Sequence, residues 1–342
     1  MRRFAGTRIA LAATVALVAA AAIALVADGD RADGEPAGAA AGKWRSLPPS
    51  PLSRTEVGAA RIGGSIYVVG GFAAPDGDTV SAAVRYEIAG RTWEPVAAMP
   101  VGVNHPAVAA HGGRLYVHGG YTGAGSLSEE TDALQRFDPR TGKWSLLAPS
   151  GFPRAGHVLA AVRGSLYAIG GAHQGGRPLR LVQAYDPLRN RWRAAPKLRV
   201  AREHLAGAVA GGTIYALGGR AAGENVATVE ILGRGKLHWK PARRLRVPRS
   251  GFGAAVVAGR VIAVGGEQLS EGDSTIAAVE IYLPGPNRWK RLPRIPTPRH
   301  GLGVVAAGRT VFALEGGPRP GLTFSGAAEA IRLSGKQLRL GR

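Results

Sequence analysis

The sequence predicts an all-β protein of six similar sheets arranged as the blades of a propeller, preceded by an N-terminal hydrophobic signal or anchor helix. Three observations carry that prediction. A short aliphatic run, ending in a Gly pair five times and in Glu-Gly once, recurs six times; a Trp stands 26 residues before the start of every such pair; and all variation in repeat length falls between that pair and the next Trp. Self-similarity at one long period marks a repeat architecture. A fixed spacing followed by a variable one means a packed core with one free loop per repeat.

The N-terminal 27 residues stand apart. Arg2, Arg3 and Arg8 precede an apolar run from Ile9 to Ala27 that only Thr14 interrupts. Nineteen helical residues rise about 28 Å, close to the thickness of a bilayer core. The basic flank lies before the run and Asp28, Asp30, Asp33 and Glu35 follow it, so the remainder is expected outside the cytoplasmic membrane. The run is Ala-rich and long, which leaves open a cleaved signal peptide (secreted propeller) and a retained transmembrane anchor (membrane partner). Residues 28–43 read as a flexible Gly/Ala/Asp linker, and 44–342 as the propeller.

The repeats begin with Ile66 to Gly71, Leu115 to Gly120, Leu166 to Gly171, Ile214 to Gly219 and Val261 to Gly266. Their Gly pairs are Gly70–Gly71, Gly119–Gly120, Gly170–Gly171, Gly218–Gly219 and Gly265–Gly266; in the sixth repeat Glu315 stands where the first Gly would be. The matching tryptophans are Trp44, Trp93, Trp144, Trp192, Trp239 and Trp289. Each unit carries four strand signals. The first is made of small residues, as in Gly58-Ala59-Ala60; the second ends at the Gly pair. The third includes Val84-Arg85-Tyr86 and its equivalents, and the fourth carries the Trp. Four short antiparallel strands cannot bury both faces alone, whereas sheets set radially around an axis cover one another. The small-residue strands then lie innermost, where six strands crowd, and the Trp strands lie outermost. Because the chain starts on a Trp strand and ends after a third strand, Glu329-Ala330-Ile331-Arg332, the Trp44 strand is expected to complete the last blade and close the ring.

An aliphatic–Tyr–aliphatic strand closing in Gly-Gly, the turn Tyr185-Asp186-Pro187, and Trp at fixed spacing resemble the kelch repeat. The likeness runs from residue 44 to about 338. It departs at Glu315, at Ile262 in place of Tyr, and at Leu232-Gly233 where an aromatic-Asp pair would stand. The resemblance implies a six-bladed kelch-type propeller of the exported or membrane-tethered bacterial type.

Composition bounds the function. With Cys 0 there is no disulfide, thiolate metal site or Cys nucleophile. That also removes the copper radical oxidases of similar fold, whose cofactor needs a Cys–Tyr crosslink. No P-loop, Gly-x-Ser-x-Gly or dinucleotide fingerprint is present; no cofactor, metal site or catalytic set is assigned. The net charge is +21, concentrated after Leu188, where 26 basic residues face 9 acidic ones. An excess of this kind fits an anionic partner or a coding bias. Nucleic acid is not expected, because no stacking aromatics interleave the charges.

Sixteen residues before the Gly pairs stand Arg54, Arg154, Arg202, Arg249 and Arg299, with Val103 in the second repeat. Symmetry would make them a basic rim at one mouth of the channel, with His105, His204 and His300 beside them. The expected function is a non-catalytic, monomeric binding or scaffold module outside the cytoplasm. It would take a protein or glycan partner, acidic if the rim arginines are exposed, as similar kelch propellers do. The alternative is a carbohydrate-active enzyme resembling the exported sialate mutarotase, with acid–base groups among Glu56, Glu203, His105, His204 and His300. Acids in the variable loops, such as Asp76, Asp78, Glu129, Glu130, Asp132 and Glu267, read as solvated charge.

Overall fold

The computed structural model describes residues 41–269 and 273–339. Small residues at alternate positions let Gly58–Ile62 run at the centre of the molecule, and Ser65–Val69, Ala83–Glu87 and Thr92–Val96 follow it outward as one antiparallel sheet. The same four-strand order recurs from Ala107–His111, Val158–Val162, Ala206–Ala210 and Gly253–Val257. The sixth sheet is Gly303–Ala307, Thr310–Leu314 and Ala328–Arg332, with Trp44–Ser46 as its outer strand. There Trp44 lies opposite Ile331 and Ser46 opposite Glu329. The six innermost strands neighbour one another in a closed cycle.

Crowding at the axis explains the composition of the inner strands. A Cβ on Gly58 would sit 2.2 Å from Val108 of the next blade. Apolar clusters lie between consecutive sheets; one joins Ile262 and Val264 of blade five to Val311 and Ala313 of blade six. Each blade therefore buries its faces on its neighbours, as the sequence requires.

The Trp spacing has an equally direct cause. Every indole Nε1 donates to a main-chain carbonyl at the outer end of the preceding blade: Trp44 to Pro293, Trp93 to Pro48, Trp144 to Ala97, Trp192 to Ala148, Trp239 to Pro196 and Trp289 to Arg243, at 2.7–2.9 Å. The ring also packs on the third strand beside it, as Tyr86 with Trp93 and Tyr282 with Trp289. A residue that must reach a fixed carbonyl one blade away cannot shift along the chain.

The expected hydrophobic helix of residues 1–27 and most of the linker lie outside the described residues. Among the described residues no helix is long and apolar enough to cross a membrane. A single turn, Gly335–Leu338, is capped at Ser334 by its side chain and by Gln337. It tucks Leu338 into the cluster against which Trp44 packs.

Candidate functional site

The first result here is a correction. Arg54, Arg154, Arg202, Arg249 and Arg299 do not form a basic rim; all five are 0% exposed. Where each second strand leaves the sheet at the Gly pair, main-chain carbonyls lose their ladder partners, and the guanidinium fork takes them. Arg202 Nη1 donates to Gly218 O at 2.8 Å and Thr228 O at 3.0 Å, and its Nη2 meets Glu230 at 3.0 Å. Arg249 repeats this with Gly265, Ala278 and Glu280, and Arg299 with Ala313 and Glu329. These guanidinium groups are therefore engaged inside the blades, although Nε of Arg154 and of Arg202 is left without a partner among the described residues.

The exceptions show the logic. In blade one the third strand offers Val84 where the others carry Glu or Gln, and Arg54 instead takes the carboxylate of Glu315 from blade six at 2.8 and 2.9 Å. The missing Gly of the sixth repeat is therefore the counterion of the first. Arg154 meets the neutral amide of Gln183 in place of a carboxylate, beside the carbonyls of Gly170 and Leu181, and burial pulls its pKa down to about 10. In blade two Val103 replaces Arg, and Gln135 turns to bond both Val101 N and Val101 O.

Two residues past the arginine position the chain reaches the axis. All six equivalents are left-handed: Glu56 (φ 54°), His105 (52°), Gly156 (58°), His204 (48°), Gly251 (59°) and Gly301 (59°). They form a closed main-chain belt across the channel. His105 N donates to Glu56 O, Gly156 N to His105 O, His204 N to Gly156 O, Gly251 N to His204 O and Gly301 N to Gly251 O, and Val57 N completes the circle on Gly301 O. Glycine is the natural residue here, since a side chain at such φ costs about 1–2 kcal/mol. Three blades nonetheless carry Glu, His and His. Strain held at one place by several repeats directs attention to function.

Above the belt stand six loops, each starting just after a Gly pair and bridged to the residue beside the belt: Thr55 with Phe72, Asn104 with Tyr121, Glu203 with Arg220, Ser250 with Glu267, His300 with Gly317, and Ala155 with Ala172. They wall a cavity of about 190 Å³ floored by Glu56, His105, His204 and His300, with Arg220 and Glu267 on its side. Its upper edge is apolar, with Leu127 and Leu322 about half exposed.

The polar groups of this mouth are tightly interlocked. Glu56 lies 2.9 Å from His300 Nδ1 and 3.2 Å from His105 Nε2. His105 Nδ1 faces Asn104 Oδ1 at 2.6 Å. Arg220 grips Glu203 at 2.6 Å and reaches Glu267 at 3.7 Å, while His204 Nδ1 contacts both Glu203 and Arg220. Burial works against the Glu56 carboxylate, but His105 and His300 outweigh it and hold its pKa well below the usual range. Burial also opposes charge on His300; its bond to Glu56 and the carboxylates of Glu56 and Glu267 prevail and lift it to about 9. Burial lowers His105 against the pull of Glu56, and burial with Arg220 lowers His204 further. Burial raises Glu267. Burial thus favours the neutral forms of His105 and His204, while the carboxylates of Glu56 and Glu267 favour the charged form of His300.

The histidines His105, His204 and His300 and the acids Glu56 and Glu203 are brought together here; the five arginines are not. Arg220 and Glu267 were not expected as partners of these groups, and Glu267, read as a solvated loop acid, is 4% exposed. Their signal was available: both directly follow a Gly pair, at the point where each loop rises beside the belt.

Comparison with known proteins agrees with this architecture. The model of the KLHDC2/KLHL20/DRC7 Kelch-repeats domain matches residues 41–198. Kelch-like protein 35 of Mus musculus is 34% identical over 136 residues, 40% of this chain and 22% of that protein. Kelch-like protein 34 of Homo sapiens is 31% identical over 152 residues, 44% and 23% of the two chains. Kelch-like protein terF of Aspergillus terreus is 29% identical over 181 residues, 48% and 39%. The matches span less than half the length of these curated relatives. The solved structure of YjhT superposes with a TM-score of 0.72 at 17% identity, covering 82% of this chain and 95% of that one.

Proposed function

The chain is a kelch-repeat β-propeller protein, and from that premise we propose that it is an exported recognition module whose loop-walled mouth receives a segment of a protein partner. The observation that carries this reading is the belt. Three of six equivalent left-handed positions give up glycine for Glu56, His105 and His204, and all three side chains meet at the cavity floor. A scaffold needing only rigidity would keep glycine throughout. The cavity presents Glu56 and Glu267, with Arg220 and His300 already engaged, so it favours hydrogen-bond donors rather than an acidic group. Leu127 and Leu322 supply apolar contact around it. The acidic partner expected of a basic rim is replaced by a partner segment carrying a donor-rich polar tip flanked by apolar side chains. Export rests on the Arg-flanked run Ile9 to Ala27.

A photo-crosslinking residue placed at Leu127 tests this, with one at Leu188, fully exposed on the opposite face, as control. Partner adducts through position 127 and not 188 support the reading; equal labelling, or labelling through 188 alone, removes it.

One observation favours a second reading, a sugar-active enzyme: carboxylate, imidazole and arginine line one cavity. Anomer exchange of sialic acid, followed by NMR with wild type and Glu56→Gln, checks it. Exchange unaffected by Glu56→Gln, or no exchange above the uncatalysed rate, ends it.

A further inference from the structure

We propose that Glu56, His105 and His204 form a binding site for one divalent transition-metal ion of the zinc class, on the channel axis, with an open coordination position facing the cavity. One ligand atom from each residue lies within 4.8 Å of the other two, so small side-chain rotations bring all three onto a common ion. Two imidazoles and a carboxylate with an open position are a donor set that zinc accepts, at bond lengths of about 2.0–2.2 Å. The set is also the two-histidine, one-carboxylate triad of other first-row metals.

Three further features point the same way. The ring orientation of His105 is fixed from outside. Asn104 Nδ2 donates to Thr79 Oγ1, whose own proton goes to Gly123 O, so Asn104 Oδ1 is the acceptor and His105 Nδ1 the donor. A neutral His105 therefore turns a bare Nε2 lone pair toward a carboxylate oxygen of Glu56 at 3.2 Å, an arrangement that a cation between them completes. Second, the Nδ1 of His204 is occupied by Glu203 and Arg220, which leaves Nε2 as its ligand atom. Metal-binding imidazoles regularly have their other nitrogen held in this way. Third, the other oxygen of Glu56 is taken by His300, which is anchored in turn on Arg319 O, so the ligating carboxylate is also positioned. The backbone is strained into the left-handed region at the three ligands, whereas the other three blades have glycine.

The inference stands apart from the partner proposed above, since it concerns the floor alone and is read with Zn²⁺ and no partner present. Full-length protein is stripped with chelator, equilibrated with Zn²⁺, freed of unbound ion and assayed for metal content; Co²⁺ loading then reports coordination from its visible absorption. The expected result is one ion per chain and a Co²⁺ spectrum of low coordination number. His204→Gly and His105→Gly install the residue that blades three, five and six already carry, so they retain the fold, checked by Trp fluorescence, while weakening Zn²⁺ at least tenfold. Asn104→Ala, which frees the ring of His105 while leaving all three ligands in place, should weaken it by roughly 10-fold. Absence of bound Zn²⁺ in the wild type overturns the proposal. Equal metal content in wild type and both folded glycine variants overturns it too, since the ion then sits elsewhere.

Discussion

Replacing Arg202 with Val should cost far more than replacing Arg202 and Glu230 together. In the single variant Glu230 keeps its bonds from Arg199 N and Val200 N but loses its cation while remaining 1% exposed. Gly218 O and Thr228 O lose their donors at the same time. Stranding one member of a buried pair costs about 3–5 kcal/mol, and the two orphaned carbonyls bring the expected total to roughly 5–7 kcal/mol. The double variant Arg202→Val with Glu230→Gln copies blade two, where Val103 and Gln135 already coexist and the amide bonds Val101 through both its oxygen and its nitrogen. Only the two carbonyls then remain short of donors, about 2 kcal/mol. The double variant should therefore be about 3–5 kcal/mol more stable than Arg202→Val alone. Urea unfolding followed by Trp fluorescence reads the difference, because every indole spans a blade junction. A double variant no more stable than Arg202→Val, or a single variant within 1 kcal/mol of wild type, would refute the assignment of these arginines as buried ties of each blade.

Three more outcomes follow from the same geometry. Gly301→Ala puts a Cβ 2.4 Å from Glu56 N at φ +59°, and should lower unfolding stability by about 2–4 kcal/mol in the same titration; His204→Gly, where relieved strain and added chain entropy offset, should move it by less than about 1 kcal/mol. His118 and His157 bond each other at 2.8 Å, deep in the interface of blades two and three, with their outer nitrogens unpartnered and burial holding both far below the usual histidine range. Their unfolded forms take up protons first, so stability is full above pH 6.5 and falls below it by up to ~1.4 kcal/mol per pH unit for each ring; His118→Val with His157→Leu, the residue types of other repeats, should abolish that part of the acid slope. His300 works in the opposite sense: raised to about 9, it contributes stability that is complete below about pH 6.5 and is lost as pH rises through about 9, some 3 kcal/mol in all. His300→Gln should flatten the alkaline side of the stability profile, and an unchanged alkaline limb would show that the Glu56–His300 pair is not ionised.

Blade number, strand order and the Trp spacing were legible because each rests on a steric or hydrogen-bonding demand repeated in every unit. A Cβ beside Val108 or an indole tied to Pro48 leaves the same residue at the same offset each time. The arginines were legible as a symmetric set but not as to side. Sixteen residues before a Gly pair fixes a position on the chain, while the direction of the side chain depends on which carbonyls the departing strand leaves unpaired. Glu230, Glu280 and Glu329 on the third strands held the missing information, each opposite a small residue of the second strand. A buried acid recurring at one repeat position is the mark of a buried cation. The mouth was half legible: His105, His204 and His300 stood out as departures, but belt geometry follows from torsion angles that glycine at only three of six positions does not announce.

The charge excess also finds its place in the topology. The turns joining first to second and third to fourth strands all lie on the face opposite the mouth, and there Arg91, Arg140, Arg163, Arg189, Arg234 and Arg288 are exposed. The chain joins the fold on that same face, where Gly42 N donates to Arg332 O. The loops around the mouth expose both signs, Asp76, Asp78, Glu129, Glu224 and Asp273 beside Arg177, Arg180 and Arg319. Exposed loop acids are thus confined to one side while arginines stand on both, and net charge is a poor guide to what the mouth takes. Charge steers an approaching partner over roughly a Debye length, about 8 Å at physiological salt. Over that range the face of turns, where exposed arginines prevail, attracts anionic surfaces, while around the mouth the two signs largely offset and the local geometry of Glu56, Arg220, Glu267 and His300 sets what is held.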